Sequence, residues 1–591
     1  MNFHFRPHAA LLLLLAVLCL SCPPGRAASK TADLSPTLKC EIELGLGDII
    51  TSGTLLPVRL AFRNSGPGRT IRVHMEAGMN AVDVYSIPAK GYCERWIYLP
   101  VIGRMSLRVT DVRFYDADSG ERLLKTDMFG SALKLSSDTG AEAVGLSVGA
   151  NARDLLQPTG GDDSKLKMSH ARSSELPPQW AGLSGYDLLI VDSSAWFSPE
   201  FPRQAAIDWM SMGGVCVLVG ADEASRRRFR RQLEERGVMS AEESKKQIRV
   251  GMGEATFRAA NEGGWLSAVE SLFSSSAPHA PARSGQHRAL LKNVHSLDIP
   301  GIGQVPFWPI LGFLAVFALA VGPGGWWYVV YRKGRPLLYY GLAPALSLVV
   351  TGLVVAADLA AHGLTAKVCC RAVRFIDQGS RRSAFLSQFG AYAPVALGSS
   401  PSGYAGEVPV FFPLKPEKGV THVKWDRIYG ASDELRGVTV DYTGSRPVYH
   451  GALPARQERW FGTLQVGSYR PRLLVSKRDG ALRVENHLEK DLEELWVAHE
   501  GQYAKVEGLQ AGASATVQPG ARDEVDMDQV WDREIDGWLP QKATSLVREW
   551  RGEWKQGSGY AARVGGVTEE DMWLDEFEAR DSESFIFGTF E

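Results

Sequence analysis

Residues Phe307 to Tyr331 read FWPILGFLAVFALAVGPGGWWYVVY and carry no charged side chain. A helix of this length rises about 37 Å, enough to cross a hydrocarbon core of about 30 Å with some tilt. Aromatic side chains gather at both ends, as they do where a helix meets lipid headgroups. The stretch predicts a transmembrane helix over 307–331, with Pro323-Gly324-Gly325 kinking or breaking its last turns.

A second stretch without charge follows almost at once, from Leu337 to Ala357. We predict a second transmembrane helix over 336–358 and a cytoplasmic tip over 332–335, because basic residues near membrane spans stay on the cytoplasmic side. The alternative is a buried helical hairpin of a soluble protein, which two charge-free spans joined by a basic tip fit poorly. The basic residues of the tip are Arg332, Lys333 and Arg335.

The N-terminus has the form of a secretory signal over residues 1–27. Arg6 precedes an apolar run from Ala9 to Leu20, and small residues precede a cleavage site after Ala27. Lipoprotein processing at Cys22 is the alternative. The signal predicts that residues 28–306 lie outside the cytoplasm. The two spans would then return residues 363–591 to the same side.

Length and composition limit the classes of protein that fit. A chain of 591 residues is too long for one core and favours three or four domains. Its 65 Lys+Arg balance 67 Asp+Glu, which argues against a nucleic-acid-binding track. We therefore expect no nucleic-acid partner.

Cysteine usage gives one open question. Cys40 and Cys93 lie in one predicted domain and could form a disulfide in an oxidising compartment, with two free buried thiols as the alternative. Cys369 and Cys370 are adjacent on a predicted strand and point to opposite faces, which argues against joint metal binding. No cysteine or histidine spacing indicates a metal site, and we expect no metal and no cofactor.

Residues 37–138 alternate apolar and polar side chains at a period of two, as in LLPVRLAFRN and TIRVHMEA. Turn-forming runs such as Asn64-Ser65-Gly66-Pro67-Gly68 separate the segments. Several short strands at this spacing predict an immunoglobulin-like β-sandwich, which usually acts as a spacer or a binding surface.

Residues 143–273 change character, because short apolar runs alternate with helical segments. AVGLSVG, YDLLIVD and VCVLVG are typical of buried parallel strands, and a strongly basic helix is predicted from Ser225 to Gly237. The pattern predicts an α/β domain with a doubly wound sheet. Residues 274–305 have the composition of a linker.

The string LPPQWAGLSGYDLLIVDSS…SPE…AAIDWMSMGGVCVLVG resembles the class I glutamine-amidotransferase-like, flavodoxin-type domain of exported bacterial membrane proteins. Those proteins carry the domain between a β-sandwich and a membrane segment. The run GPGGWWYVVYRKGRPLLYYGLAPALS is similar to theirs too, so the resemblance covers most of the chain. It implies an architecture of sandwich, flavodoxin-like domain and membrane hairpin, and says little about function.

Amidotransferase chemistry needs a cysteine on a sharp strand-to-helix turn, activated by a histidine. Cys216 is predicted in the middle of a strand, where core packing is its expected role. His170 is predicted in a polar loop. The motif Gly251-Met252-Gly253 lacks the third glycine of a dinucleotide fingerprint and favours a turn.

The turn after YDLLIV is the one weak candidate for ligand binding in the α/β domain. Asp192, Ser193 and Ser194 follow a predicted strand, and ligands of doubly wound sheets bind at the carboxyl ends of strands. The favoured interpretation is that these residues cap the next helical turn. We predict no catalytic residue.

After the second span, residues 364–525 return to strand-like alternation and predict a second β-rich domain. Residues 526–591 predict a helical segment with a tryptophan stripe and a C-terminal tail. The sequence thus predicts a two-pass protein of the bacterial cytoplasmic membrane that presents domains outside the cytoplasm to protein partners or ligands, without catalysis. An envelope hydrolase or amidase, and a signalling or transport subunit, are the alternatives.

Overall fold

A computed structural model describes the chain from Ala28 to Phe590, with gaps. The described residues are 28–47, 49–51, 54–76, 80–101, 111–126, 134–135, 143–149, 166–236, 247–250, 253–258, 307–331, 336–362, 365–379, 381–394, 399–401, 410–414, 438–443, 448–451, 453, 458–468, 473–478, 480–500, 502–518, 558–566, 578–579 and 582–590. The protein is multidomain and mostly β, with several sheets and few helices.

The N-terminal part forms strands, as the alternation predicts. They are β1 (Ala28–Ser35), β2 (Leu38–Leu44), β3 (Ile49–Ile50), β4 (Thr54–Asn64), β5 (Arg69–Glu76), β6 (Asn80–Ile87), β7 (Tyr92–Val101), β8 (Asp111–Asp116), β9 (Arg122–Thr126) and β10 (Lys134–Leu135). One sheet has the order β1-β2-β4-β7 and packs through Phe62 and Ile42 onto β5, β6 and β8 of a second sheet. β1 was not predicted, because only Ala32 and Leu34 of its side chains reach the core.

The middle part forms a six-stranded sheet that is parallel except at one edge. Its strands are β11 (Ala143–Val148), β12 (Leu166–Ala171), β13 (Leu188–Asp192), β14 (Val215–Val219), β15 (Gln247–Val250) and β16 (Gly253–Arg258). Their order is β12-β11-β13-β14-β16-β15, and only β15 runs antiparallel. Strands β11, β13 and β14 are buried throughout, which explains their continuous apolar runs.

Short helices connect these strands: α1 (Ser193–Trp196), α2 (Arg203–Ser211) and α3 (Glu223–Glu235). β15 and β16 pair antiparallel, with Val250 opposite Gly253, the last residue of the glycine motif; Gly251 and Met252 lie outside the described residues. A Cβ at Gly253 would lie 2.2 Å from the Met210 carbonyl oxygen, so a side chain has no room there. Gly253 itself is the first residue of β16.

The apolar segment begins with helix α4 (Phe307–Leu319), continues through a π-helical turn (Ala320–Gly324) and ends with α5 (Gly325–Val330). The irregular turn contains Pro323, where the sequence predicts a kink. Helix α6 (Pro336–His362) follows. Among the described residues, one 18-residue window, Leu311–Tyr328, is long and apolar enough to cross a membrane, and α6 contains the shorter apolar stretch Pro344–Ala356.

The C-terminal part adds fifteen further strands. They are β17 (Lys367–Asp377), β18 (Arg382–Tyr392), β19 (Ser399–Pro401), β20 (Val410–Leu414), β21 (Thr439–Asp441), β22 (Val448–His450), β23 (Glu458–Ser468), β24 (Leu473–Arg478), β25 (Ala481–Asn486), β26 (Leu492–His499), β27 (Gln502–Leu509), β28 (Ser514–Val517), β29 (Ser558–Val564), β30 (Glu578–Ala579) and β31 (Glu583–Thr589). The largest sheet has nine strands in the order β20-β23-β18-β17-β31-β29-β26-β27, with β30 beside β17.

The parts before and after the apolar helices share one sheet. Its seven strands have the order β19-β22-β21-β6-β5-β8-β9, and β21 pairs with β6 in parallel. The Asn80 amide donates to the Val438 carbonyl at 3.0 Å, and the Tyr442 amide donates to the Val82 carbonyl at 2.8 Å. Residues near 80 and near 440 therefore belong to one folded unit, which the predicted division into separate β domains does not include.

A second contact joins the nine-stranded sheet to the helices of the six-stranded sheet. Helix α2 packs against β18 and β23. Arg382 Nη1 lies 2.8 Å from Asp208 Oδ1, with the two side chains 9% and 13% exposed. The predicted linker (274–305) and the predicted helical segment before β29 (526–557) lie outside the described residues.

Candidate functional site

The carboxyl ends of the five parallel strands lie at one edge of the six-stranded sheet. β11 ends before Gly149, β13 ends at Asp192, and β14 ends before Gly220. Ligands of open α/β sheets bind at this edge, above all where the strand order reverses. In this sheet the reversal lies between β11 and β13. The predicted ligand turn, Asp192 to Ser194, follows β13 beside this reversal, and its role as a ligand site stays a prediction.

The side chains of that turn bond to one another and to the neighbouring loop. Asp192 is the N-cap of α1, and its Oδ1 accepts from the Ser194 amide and the Ser194 hydroxyl, both at 3.0 Å. The Ser193 hydroxyl donates to the Gly220 carbonyl at 3.1 Å. Asp192 is buried. The capping role favoured from the sequence is what the side chain of Asp192 performs.

Gly149, which follows β11, packs against the start of α1 beside Asp192. Its φ of +101° is a conformation that side chains with a Cβ rarely adopt. A Cβ there would lie 2.6 Å from the Asp192 Cβ and 3.2 Å from the Ala195 Cβ. The backbone after β11 therefore packs directly on the start of α1, which leaves no space for a ligand between those two positions.

A hydroxyl–imidazole pair, formed by Ser147 and His170, lies within the sheet next to this turn. The sequence did not predict this pair. Ser147 Oγ lies 3.0 Å from His170 Nδ1 and donates to the Ser169 carbonyl at 3.2 Å. A hydroxyl that donates to the carbonyl can accept from Nδ1–H, which leaves Nε2 as the acceptor nitrogen of the ring. His170 ends up in β12 and not in the predicted polar loop, because Ser147 and His170 are register partners of parallel strands.

The pair consists of residue types found in nucleophile–base pairs, but the Ser147 hydroxyl donates to the Ser169 carbonyl instead of to His170, and it is inaccessible. Ser147 is 1% exposed and lies in register with Ile190, which belongs to an apolar cluster on one face of the sheet. A substrate carbonyl could not approach its oxygen without opening the sheet. The pair satisfies the buried Ser147 hydroxyl and one nitrogen of the half-buried His170 ring, and this role needs no chemistry.

Cys216 cannot complete an amidotransferase site in this arrangement. It is fully buried in the middle of β14, opposite Leu189 of β13. Desolvation raises the pKa of its thiol to about 12, so the reactive thiolate is not formed near neutral pH. Its neighbour Val217 is in register with Ile190 and hence with Ser147, so Cys216 and His170 point to opposite faces.

The possible disulfide between Cys40 and Cys93 is not formed, and both thiols are free. Cys40 of β2 and Cys93 of β7 are both register partners of Phe62, one on each side of β4. Two strand spacings put their Cα atoms about 9.5 Å apart, beyond the limit of about 7 Å for a disulfide. The predicted alternative is two free buried thiols; both thiols are free, but Cys40 is buried whereas Cys93 is half-buried. Burial raises the pKa of Cys40 and of Cys93.

The remaining predicted residues lie elsewhere. The basic tip falls outside the described residues, between α5 and α6; it comprises Arg332, Lys333 and Arg335. Within the described part of the chain, no group of three or more histidine, cysteine, aspartate or glutamate side chains could hold a metal ion.

Comparisons with known proteins add no functional information. A scan against protein-family models gives no match, and a search of curated protein sequences gives none either. Among solved structures, the chain is similar to the yeast delta-COP-I mu-homology domain complexed with Dsl1 WxWxV peptide, at 9% identity. That similarity covers 38% of this chain and 96% of the other, with a TM-score of 0.16. A score this low carries no argument about fold or function.

Proposed function

We propose that this protein is a two-pass membrane protein of the cell envelope whose domains outside the cytoplasm form one joined body that binds partner proteins, without catalysis. The observation that carries the proposal is the sheet shared by residues on both sides of the apolar helices. β6 precedes those helices in the chain, β21 follows them, and the two strands pair directly.

Strands that pair in one sheet lie on one side of a membrane, because a sheet with open edges cannot lie within the hydrocarbon. The segment between β6 and β21 must then cross an even number of times. Leu311–Tyr328 qualifies as one span, so its return needs a second crossing, and α6 is the adjacent helix with an apolar stretch. Pro323 and the π turn are compatible with a span.

The strand order of the α/β domain supports the resemblance to flavodoxin-type domains. With the strands renumbered within the domain, the first four read 2-1-3-4, which is the flavodoxin-like order. The packing of β1, β2, β4 and β7 on β5, β6 and β8 is compatible with the proposed immunoglobulin-like sandwich. The predicted cleavage after Ala27 would leave β1 intact, because that strand begins at Ala28.

The state of the sheet edge supports binding over catalysis. Asp192, Ser193 and Ser194 are engaged in capping bonds, and Cys216 lies in the core. An envelope hydrolase remains the second candidate, since Ser147 and His170 do form a hydroxyl–imidazole pair. It would require a motion that exposes the Ser147 hydroxyl.

Alkaline phosphatase fusions in a bacterial host test the topology. The enzyme is active only outside the cytoplasm, so a fusion after Gly363 should be active and a fusion after Gly334 inactive. Deleting 336–362 from the first fusion should abolish its activity, because one crossing then remains. Equal activity of both fusions, or the reverse pattern, would contradict the proposal.

A further inference from the structure

Helix α3 carries the most concentrated charge in the described structure. Five of the six residues from 226 to 231 are arginine, and the sixth, Phe229, is buried with Leu233 against the domain. Several arginines stand three or four positions apart on the helix, where like charges repel and weaken the helix. Glu223 at the start of the helix and Glu234 and Glu235 at its end offset part of this repulsion, and the excess of positive charge lies in the middle of the helix.

The exposed arginines form one outward patch, which we call the arginine face: Arg227, Arg228 and Arg231. Arg228 stacks over the Phe197 ring at 4.6 Å from its centroid. Arg227 is paired with Glu223 at 3.5 Å, but both side chains are mostly exposed, so this ion pair neutralises little. A guanidinium on an aromatic ring beside further arginines is the composition of a protein interface and suits carboxylate partners.

The arginine face stands away from the point where the chain leaves the membrane in the proposed topology. β17 begins at Lys367, shortly after α6 ends at His362, and runs ten steps to Asp377. Ten strand steps span about 33 Å. Arg382 is the register partner of Asp377 and binds Asp208 of α2, so α2 docks at the far end of the strand.

Helix α3 is tied to α2 at that far end. Arg236, the residue after α3, donates from Nη1 to Gln204 Oε1 at 2.7 Å, and Gln204 donates to Asp208 at 2.8 Å. The arginine face therefore lies near the end of the nine-stranded sheet opposite to the attachment at α6. This position favours a partner in the surrounding compartment over the lipid headgroups next to the anchor.

We infer that the arginine face is a docking surface for an acidic protein segment, whose carboxylates its guanidinium groups bind. This inference rests on the proposed function and names the chemistry of the partner. No covalent step is involved, and the interaction is ionic and stacking in nature.

The test uses the full chain in discs of phosphatidylcholine and a fluorescent oligoglutamate peptide as the probe. Anisotropy should report binding that weakens with salt. The variant R227Q/R228Q/R231Q should bind about tenfold more weakly, as expected for the loss of three exposed ion pairs. The control R63Q/R72Q/R122Q removes the same charge from exposed sites of the N-terminal strands and should bind like the wild type.

Three outcomes would overturn the inference: no oligoglutamate binding, equal binding by the arginine-face variant, or an equal loss in the control. Flotation of the discs with phosphatidylglycerol vesicles, without peptide binding, would assign the face to lipid instead. These measurements do not depend on topology. Failure here with the expected phosphatase pattern would leave the proposed function standing.

Discussion

Replacing Arg382 by methionine should loosen the junction between the α/β domain and the nine-stranded sheet. The substitution keeps an unbranched side chain but removes the partner of the Asp208 carboxylate, which is 2.8 Å away. Burial raises the pKa of Asp208, and the Arg382 guanidinium opposes that rise. Without the guanidinium, the largely buried carboxylate keeps its bond from Gln204 at 2.8 Å and the weaker attraction of Arg236.

Removing one partner of a buried ion pair costs about 3 to 5 kcal/mol. Because Gln204 still donates to the carboxylate, we expect the lower end, about 3 kcal/mol. That loss corresponds to a rise of roughly a hundredfold in local opening. Hydrogen exchange of the α2 amides in the purified full chain measures it directly, and exchange there should quicken by about that factor while β2 and β4 stay unchanged.

The double variant R382M/D208L provides the control. An apolar pair of similar size removes the uncompensated charge, so exchange in α2 should return close to the wild-type rate. Exchange in R382M within threefold of wild type would refute the reasoning. So would a double variant that is as open as the single one, because the loss would then come from packing.

Three further predictions concern the N-terminal part and the sheet edge. Burial raises the pKa of Asp83 above its usual 3.8, so the folded state binds more protons than the unfolded state, and the free energy of unfolding should fall as pH rises above about 4. D83N should flatten this pH dependence when the free energy is measured by denaturant unfolding. An unchanged slope of free energy against pH would count against the prediction. G149A should lower the free energy of unfolding by about 3 kcal/mol, through backbone strain and a clash of the new Cβ. G120A, where φ is also positive but the space is open, should lower it by about 1 kcal/mol in the same assay. Equal losses would contradict the packing argument. Mass spectrometry without reductant should find Cys40 and Cys93 unlinked, with Cys93 alkylated first because Cys40 is fully buried; a mass lower by two hydrogens would contradict this.

Local sequence patterns predicted where the strands lie better than they predicted which strands pair. The period of two in LLPVRLAFRN became β4, and the continuous apolar run LLIV became the buried strand β13, because burial on one or both faces leaves a direct trace in the sequence. Pairing between β6 and β21 left no such trace. The pairing depends on register between segments far apart in the chain, and the sequence of neither strand identifies its partner.

The candidate site shows the same limit. Asp192 was recognisable as a cap, since an aspartate before a helical turn has a local signature. Ser147 and His170 meet only because two parallel strands align them, and parallel register is not readable from either strand. The possible disulfide could not be judged from the sequence for the same reason: the spacing of Cys40 and Cys93 along the chain does not show that β4 lies between their strands.

The pairing of β6 with β21 also sets an order of events during biosynthesis. About 360 residues separate the two strands, which at 5 to 20 residues per second amounts to some tens of seconds of translation. Throughout that interval β6 has been made but lacks its neighbour, and its exposed edge could pair with any strand nearby. In the proposed topology, both apolar helices would also be inserted before β21 arrives. A holding chaperone would therefore act on the N-terminal strands, and a chain truncated before residue 439 should depend on it permanently.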